Sequence, residues 1–258
     1  MAELPELEVV SKYGVGLDGL DLAALRRRGV RLGWQGGVNR RAVAELVIAL
    51  AVSLLRGIPG AASELRGGAW RPHTGRELGG RTVGIVGCGH VGKELARLLA
   101  AFGCRILVHD ILDFPAFYRE LGIEKIGLDT LLARAEVVSL HVPLDDATRG
   151  MMDAQRLALM RQDAILINAA RGGLVDEVAL ATALREGRIA GAAIDVFARE
   201  PPQPDNPLLS APNVILTPHI GGSSTEAILA MGRAAIRGLD DNKVPEPGDP
   251  CWPLVPLI

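Results

Sequence analysis

The chain has 258 residues, 28 Lys and Arg against 30 Asp and Glu, a formal net charge of −2 and a 48% hydrophobic share. That is enough for one large or two small domains with a real core. The near-balanced charge leaves no basic footprint for nucleic acid, and an aromatic share of only 3% leaves no stacking platform for it.

In chain order, residues 7–12 read as a short strand, followed by the glycine-rich turn Tyr13-Gly14-Val15-Gly16-Leu17-Asp18. A helix is predicted over 21–28, stopped by Gly29, then a strand over 30–34 and a loop to Asn39. From Arg40 to Arg56, Val43, Leu46, Val47, Leu50 and Leu54 recur at helical spacing, and Ala44, Ile48, Ala49, Ala51 and Val52 fill the other faces. A helix apolar nearly all round belongs in a deep core or a subunit interface. Pro59 is expected to break the run, with a second helical piece over 61–70.

From Gly79 the texture alternates. Strands are predicted at 82–87, 105–110, 137–140, 164–168, 190–194 and 213–216, and helices at 91–102, 114–121, 128–134, 153–160 and 177–186. Apolar strands separated by amphipathic helices imply a parallel, doubly wound sheet, because each crossover must lay a helix over one face. A last helix over 224–239 is expected to return beside the first segment. The tail from Pro245 to Ile258 carries five prolines, and its apolar end is expected to lie along a surface groove.

The longest apolar stretch, Leu46–Leu55, is interrupted by Ser53 and closed by Arg56 and Gly57, too short to cross a membrane. The acidic start lacks the basic and apolar regions of a signal peptide. Cys88, Cys104 and Cys251 are an odd count without metal-ligand spacing. These features predict a cytoplasmic protein with reduced thiols, no metal and no membrane or nucleic-acid partner.

Gly87-Cys88-Gly89-His90-Val91-Gly92 directly follows the apolar run 82–86. The first glycine permits a sharp turn, the second lets backbone approach a pyrophosphate, and the third lets helix pack on strand. The following helix turns its N–H groups and positive dipole end to the anion. Asp110 ends the next strand at the distance the dinucleotide fingerprint requires. A carboxylate there accepts from both ribose hydroxyls and repels a 2′-phosphate, so NAD is expected rather than NADP.

Three polar positions end successive strands: Arg171 after Asn168-Ala169-Ala170, Glu200 shortly after Asp195, and His219 after Thr217-Pro218. Singly, each has a plainer reading as a surface charge, a solvent-facing glutamate or a loop cap. Jointly, they suit proton-coupled hydride transfer. His219 serves as acid in reduction and base in oxidation, Glu200 stabilises its imidazolium and fixes its tautomer, and Arg171 holds a carboxylate and polarises the adjacent carbonyl. Asn39 is expected to border this region with an amide, and Arg40 or Arg41 reads either as a contact for a substrate phosphate or, more plainly, as a solvated charge at a helix start.

The motifs 13–18, 39–45, 83–93, 140–144, 168–177, 195–197, 200–202 and 217–222 together resemble the D-isomer-specific 2-hydroxyacid dehydrogenases, phosphoglycerate dehydrogenase-like branch. The resemblance implies an NAD-dependent oxidoreductase acting on the CH–OH group of a 2-hydroxy acid, with phosphorylated or phosphonate-bearing acids ranked first. Arg171, Glu200 and His219 match the catalytic residues. It implies that Asp195 binds the nicotinamide amide and that His90 and Val91 cover the pyrophosphate. Val142, Pro143, Ala169, Ala170 and Gly221 then line the nicotinamide side. The backbone of Val15 and Gly16 would hold the substrate carboxylate, and the helix over 40–56 would be a homodimer arm.

The implied fold is a Rossmann-type doubly wound sheet (residues 76–222) plus a flavodoxin-like substrate lobe (1–75), on which 223–258 returns. The family's lobe normally begins 60–70 residues before the Tyr-Gly-Val-Gly motif, so it is expected to be incomplete here. Because the family also contains corepressors with the same three residues, an NAD-binding interaction protein and an inactive cofactor-binding remnant stand as alternatives.

Overall fold

The structure is a computed structural model, and residues 4–249 are described. The expected groove contact of the apolar tail, and Cys251 with it, lie outside the described residues. The elements in chain order are β1 (Val9–Ser11), α1 (Leu22–Arg27), β2 (Arg31–Gly33), α2 (Arg40–Leu55), α3 (Ile58–Arg66), β3 (Thr82–Val86) and α4 (His90–Ala101). Next come β4 (Arg105–His109), α5 (Pro115–Leu121), β5 (Glu124–Lys125), α6 (Leu128–Arg134), β6 (Val137–Leu140), α7 (Ala154–Leu159) and β7 (Ile165–Asn168). The last are α8 (Glu177–Arg185), β8 (Gly191–Ile194), a short 3-10 turn (Pro207–Ser210), β9 (Val214–Leu216) and α9 (Thr225–Arg237).

The chain packs as two compact units, one from Met1–Ala42 and Gly222–Ile258, the other from Val43–Gly221. In the first, β1 and β2 pair in parallel, Val9 opposite Arg31 and Ser11 opposite Gly33. The Asp21 carboxylate caps α1 by accepting from the Ala24 N–H. Leu22, Leu25, Val30 and Leu32 form the small core, with Leu7, Val10 and Trp34 against it. α9 lies beside this pair: the Ser11 hydroxyl donates to the Ala235 carbonyl, and the Leu32 N–H to the Lys243 carbonyl at 2.7 Å.

The second unit holds a seven-stranded sheet, all parallel, in the order β5-β4-β3-β6-β7-β8-β9. Alternation along the strands sends Val83, Ile85, Val137, Ile165 and Ile167 into one core, with Val43, Val47 and Leu50 of α2 and Leu95 and Leu99 of α4. Val86, Val138, Leu140 and Leu166 face the other core, with residues of α6, α7 and α8. Each buried Leu or Ile contributes about 1.5–3 kcal/mol, which two-sided coverage makes available on both faces of every central strand. Strand order reverses between β3 and β6, which opens the crevice where ligands of such sheets bind.

Two differences from the sequence reading have plain causes. Pro59 does not break the helical run but starts the next helix: α3 begins at Ile58, with Pro59 in its first turn, where a missing N–H leaves nothing unsatisfied. The break falls two residues earlier, at Gly57, with φ +63°. The unit boundary falls at Ala42/Val43 rather than near residue 75, because the buried side of α2 joins the core of the large sheet. Among the described residues, no single helix is long and apolar enough to cross a membrane.

Candidate active site

β3 delivers the chain into the turn Gly87-Cys88-Gly89 and α4 takes it away. Gly87 has φ +96°, and a Cβ there would sit 2.7 Å from the His141 carbonyl carbon, so this position admits only glycine. Gly92, in the first turn of α4, packs its Cα against the Gly87 carbonyl. Gly89 caps α4 without a side chain, and a Cβ there would meet nothing within 4 Å. The N–H groups at His90 and Val91 therefore open the helix beside free space, the arrangement that binds an anion.

Asp110 follows β4. Its Oδ1 accepts from the Leu112 N–H at 2.7 Å and its Oδ2 from the Cys88 N–H, leaving each oxygen room for another donor. Burial, with Asp110 nearby, pushes the Cys88 thiol up to about 11, so it is a neutral packing residue at ordinary pH. Donor backbone, open glycine face and terminal carboxylate together fit a dinucleotide.

The turn rests on the loop after β6. The His141 N–H donates to the Val86 carbonyl at 2.7 Å, and a Cβ at Gly87 would come within 2.9 Å of Val142. The Pro143 carbonyl accepts from the Thr148 hydroxyl at 2.7 Å, closing the loop on itself. The His141 ring is hydrogen-bonded to the buried Ser139 hydroxyl at 2.8 Å, and burial pushes the imidazole down to about 4 from 6.5. Between those values the unfolded chain binds a proton that the folded chain refuses. Stability is thus complete above about pH 6.5 and falls as the pH drops towards 4. Urea midpoints measured from pH 7 to 4 should show this decline, and His141→Gln should flatten it. Parallel curves for the two proteins would assign the decline to other groups.

Arg171, Glu200 and His219 follow the adjacent strands β7, β8 and β9. Asn168, 1% exposed, clamps the first turn: its Nδ2 donates to the Arg171 carbonyl at 2.9 Å and its Oδ1 accepts from the Ala170 N–H at 3.2 Å. Arg171 Nη1 donates back to the Ala170 carbonyl at 2.7 Å. The next residue, Gly172, lies so close to the Phe197 carbonyl that a Cβ would fall 1.7 Å from its oxygen. The Phe197 N–H donates to Glu200 Oε1 at 3.1 Å, and Glu200 Oε2 meets His219 Nδ1 at 2.8 Å. One continuous chain of contacts therefore runs from the Arg171 turn to the imidazole.

Asp195, also 1% exposed, gathers the histidine loop. Its Oδ1 accepts from the Thr217 hydroxyl at 2.6 Å and the Ile220 N–H at 2.8 Å, its Oδ2 from the Gly221 N–H at 2.8 Å, and its backbone carbonyl from the His219 N–H at 2.8 Å. These bonds hold His219 at φ +55°, a conformation uncommon outside glycine. One acceptor position on Oδ2 remains. The His219 and Glu200 side chains are 53% and 40% exposed, so their pairing contributes only about 0–1 kcal/mol to stability. Its effect is to orient the imidazole through Nδ1, with Nε2 at the other edge of the ring.

Sequence reasoning assigned no task to Asn168, Thr217 or the Phe197 amide. An Asn at a strand end before small residues is a turn signal and could have exposed the first. The other two act through partners that no local pattern marks. Among the described residues, no cluster of His, Cys, Asp or Glu is arranged to hold a metal ion.

In the first unit, the Trp34 indole donates to the Val15 carbonyl at 3.0 Å, propping the glycine-rich turn. Among the described residues the Val15 and Gly16 N–H groups have no acceptor. Asn39 packs against Gly222, its Nδ2 2.8 Å from where a Cβ would stand. Arg40, considered for a substrate phosphate, uses Nη1 to brace the Gly37 carbonyl at 3.2 Å.

Comparison with known proteins agrees with this geometry. Residues 48–221 match the family model "D-isomer specific 2-hydroxyacid dehydrogenase, NAD binding domain". The chain is 42% identical over 229 residues to D-3-phosphoglycerate dehydrogenase of Mycobacterium tuberculosis, covering 88% of this chain and 43% of that one. It therefore spans less than half the length of that curated relative. Glyoxylate reductase of Korarchaeum cryptofilum is 40% identical over 241 residues, 91% of this chain and 73% of its own. The solved D-lactate dehydrogenase with NAD+ from Lactobacillus jensenii superposes with a TM-score of 0.81 at 28% identity, over 92% of this chain and 76% of that one. The glycine turn between β3 and α4, the carboxylate after β4 and these matches lead to one assignment: the chain belongs to the D-isomer specific 2-hydroxyacid dehydrogenase family, and its large unit is that family's NAD-binding domain.

Proposed function

We propose that this chain is an oxidoreductase that moves a hydride between NAD(H) and a 2-hydroxy/2-oxo acid. The observation that carries the reading is the 2.8 Å pairing of His219 Nδ1 with Glu200, set beside the Arg171 turn in the unit that carries the glycine turn. NAD(H), when bound, supplies or accepts the hydride. Gly87, Gly89, His90, Val91 and Gly92 hold its pyrophosphate and Asp110 its ribose. Val142, Pro143, Ala169, Ala170, Asp195 and Gly221 line the nicotinamide side, with the free acceptor position of Asp195 for the carboxamide. In reduction, Arg171 grips the carboxylate and draws density from the neighbouring carbonyl, and His219 Nε2 delivers a proton to the developing alkoxide. In oxidation His219 takes that proton back. Glu200 keeps the imidazole oriented in both directions.

On the first unit, the Val15 and Gly16 amides and the Asn39 carboxamide are further candidates for holding the acid. Phosphorylated and phosphonate-bearing acids rank first, supported by the similarity to a D-3-phosphoglycerate dehydrogenase. A homodimer through α2 completes the reading, supported by the half-buried Leu46, Ile48, Val52 and Leu54 on a helix whose other side is core.

The test is NADH oxidation at 340 nm by the purified chain against a panel of 2-oxo acids, phosphorylated members included. Turnover establishes the activity and its substrate class; tight NADH binding without turnover replaces it with a cofactor-binding role. Asp110→Ser is expected to weaken NADH about tenfold, a loss of about 1.4 kcal/mol, and to narrow its advantage over NADPH. Parallel fluorescence titrations with the two nucleotides read both effects. An unchanged ratio would remove Asp110 from nucleotide selection.

A further inference from the structure

The end of the large sheet opposite the glycine turn holds an open cleft of about 550 Å³. Three of its lining residues are arginines from three separate elements: Arg105 opens β4, Arg134 closes α6, and Arg161 lies between α7 and β7. Glu124 is the one acid among the described lining residues. Its carboxylate is committed to Arg134 by two bonds of 2.6 and 2.7 Å, which hold the acid below its usual range. Arg161 is oriented by Asp163 at 2.8 Å, and Asp163 is shared with Arg76. Arg105 has no hydrogen-bond or ion-pair partner for its guanidinium among the described residues.

Cys104 also lines the cleft, its thiol bonded to the Leu78 carbonyl and pushed up by burial, so no thiolate offsets the cations. Arg134 is paired with Glu124 and Arg161 with Asp163, so among the described residues Arg105 is the lining guanidinium that no carboxylate answers, and it sets the local surplus of positive charge. The volume lies within the range of small-molecule sites, and a guanidinium fork matches the oxygen pairs of phosphate and carboxylate.

We propose that this cleft is a second ligand site, separate from the nucleotide and proton-transfer residues, for a small organic dianion, with Arg105 as the uncommitted fork and Arg161 as a second guanidinium on its lining. Phosphate esters and dicarboxylates share that chemistry. Isothermal titration at constant ionic strength, with sodium chloride as the balancing salt, separates them by using inorganic phosphate in one arm and succinate in the other. The protein is saturated with NADH so that the glycine turn is already filled. In at least one arm, wild type is expected to show a binding event that Arg105→Gln weakens tenfold or more and Arg161→Gln also weakens. NADH affinity should be unchanged in both variants, because neither residue touches the nucleotide residues. Absence of binding to wild type in both arms, or titrations of Arg105→Gln that overlay those of wild type, overturns the proposal.

Discussion

His219→Asn is expected to lower kcat for oxo acid reduction by about 10²–10⁴-fold while NADH binds as before. Asparagine is the informative replacement because His219 stands at φ +55°, and among side-chain-bearing residues asparagine is one of those that tolerate the left-handed region. An alanine there would add backbone strain to the loss of the ring. The Asp195 bonds to the loop use backbone N–H groups and Thr217, so they survive the exchange. What disappears is the ring nitrogen proposed as the proton donor. Stopped-flow single-turnover measurements read the loss of the chemical step, and fluorescence titration with NADH reads the unchanged binding. A variant that kept more than a small fraction of wild-type chemistry would place the proton donor elsewhere.

Gly172→Ala has the second large effect, and it acts without touching a proton. The added methyl would lie 1.7 Å from the Phe197 carbonyl oxygen, a distance no rotamer relieves, so one backbone segment must move. Either movement separates the Arg171 turn from the segment whose N–H anchors Glu200. A misplacement of about 1 Å in such a constellation costs about 10²-fold in rate, and overpacking costs about 1–3 kcal/mol of stability. The expected result is a kcat lowered by about that factor and a reduced urea midpoint, with NADH affinity falling far less than kcat because the pyrophosphate turn on β3 and α4 is untouched. Gly232→Ala is the control: a Cβ there meets nothing within 4 Å, and the helical position gains rather than loses. Wild-type kcat in Gly172→Ala would show that contact between the two loops does not align the site.

The central strands were legible in the sequence because both faces of the sheet are covered. Val137–Leu140 and Ile165–Asn168 are buried throughout, so they read as continuous apolar runs between turn residues. β5 was not legible: Glu124 and Lys125 are two exposed charges at the sheet edge, with no alternation to detect. The glycine turn with Asp110 could be read locally, since its spacing is set by one strand–helix–strand unit. The His219–Glu200 pairing could be argued from chemistry and resemblance alone, because the partners stand 19 residues apart. The internal duty of Asp195 was hidden for the same reason, its side-chain partners lying 22 to 26 residues further on. The arginines of the opposite cleft sit at positions 105, 134 and 161, and only the parallel stacking of β4, β6 and β7 brings them round one hollow.

The small unit is assembled from distant stretches of chain, and this orders events on the ribosome. Ser11 bonds to Ala235 across 224 intervening steps. At about 5–20 residues per second, α9 emerges roughly 10–45 seconds after β1. Val43–Gly221 is synthesised wholly within that interval and is continuous, so its sheet can close while the nascent β1–β2 pair still lacks the helix that packs on it. During that wait the early strands present unpaired edges, the condition in which chaperone capture or strand exchange with a neighbouring polysome chain is most favourable.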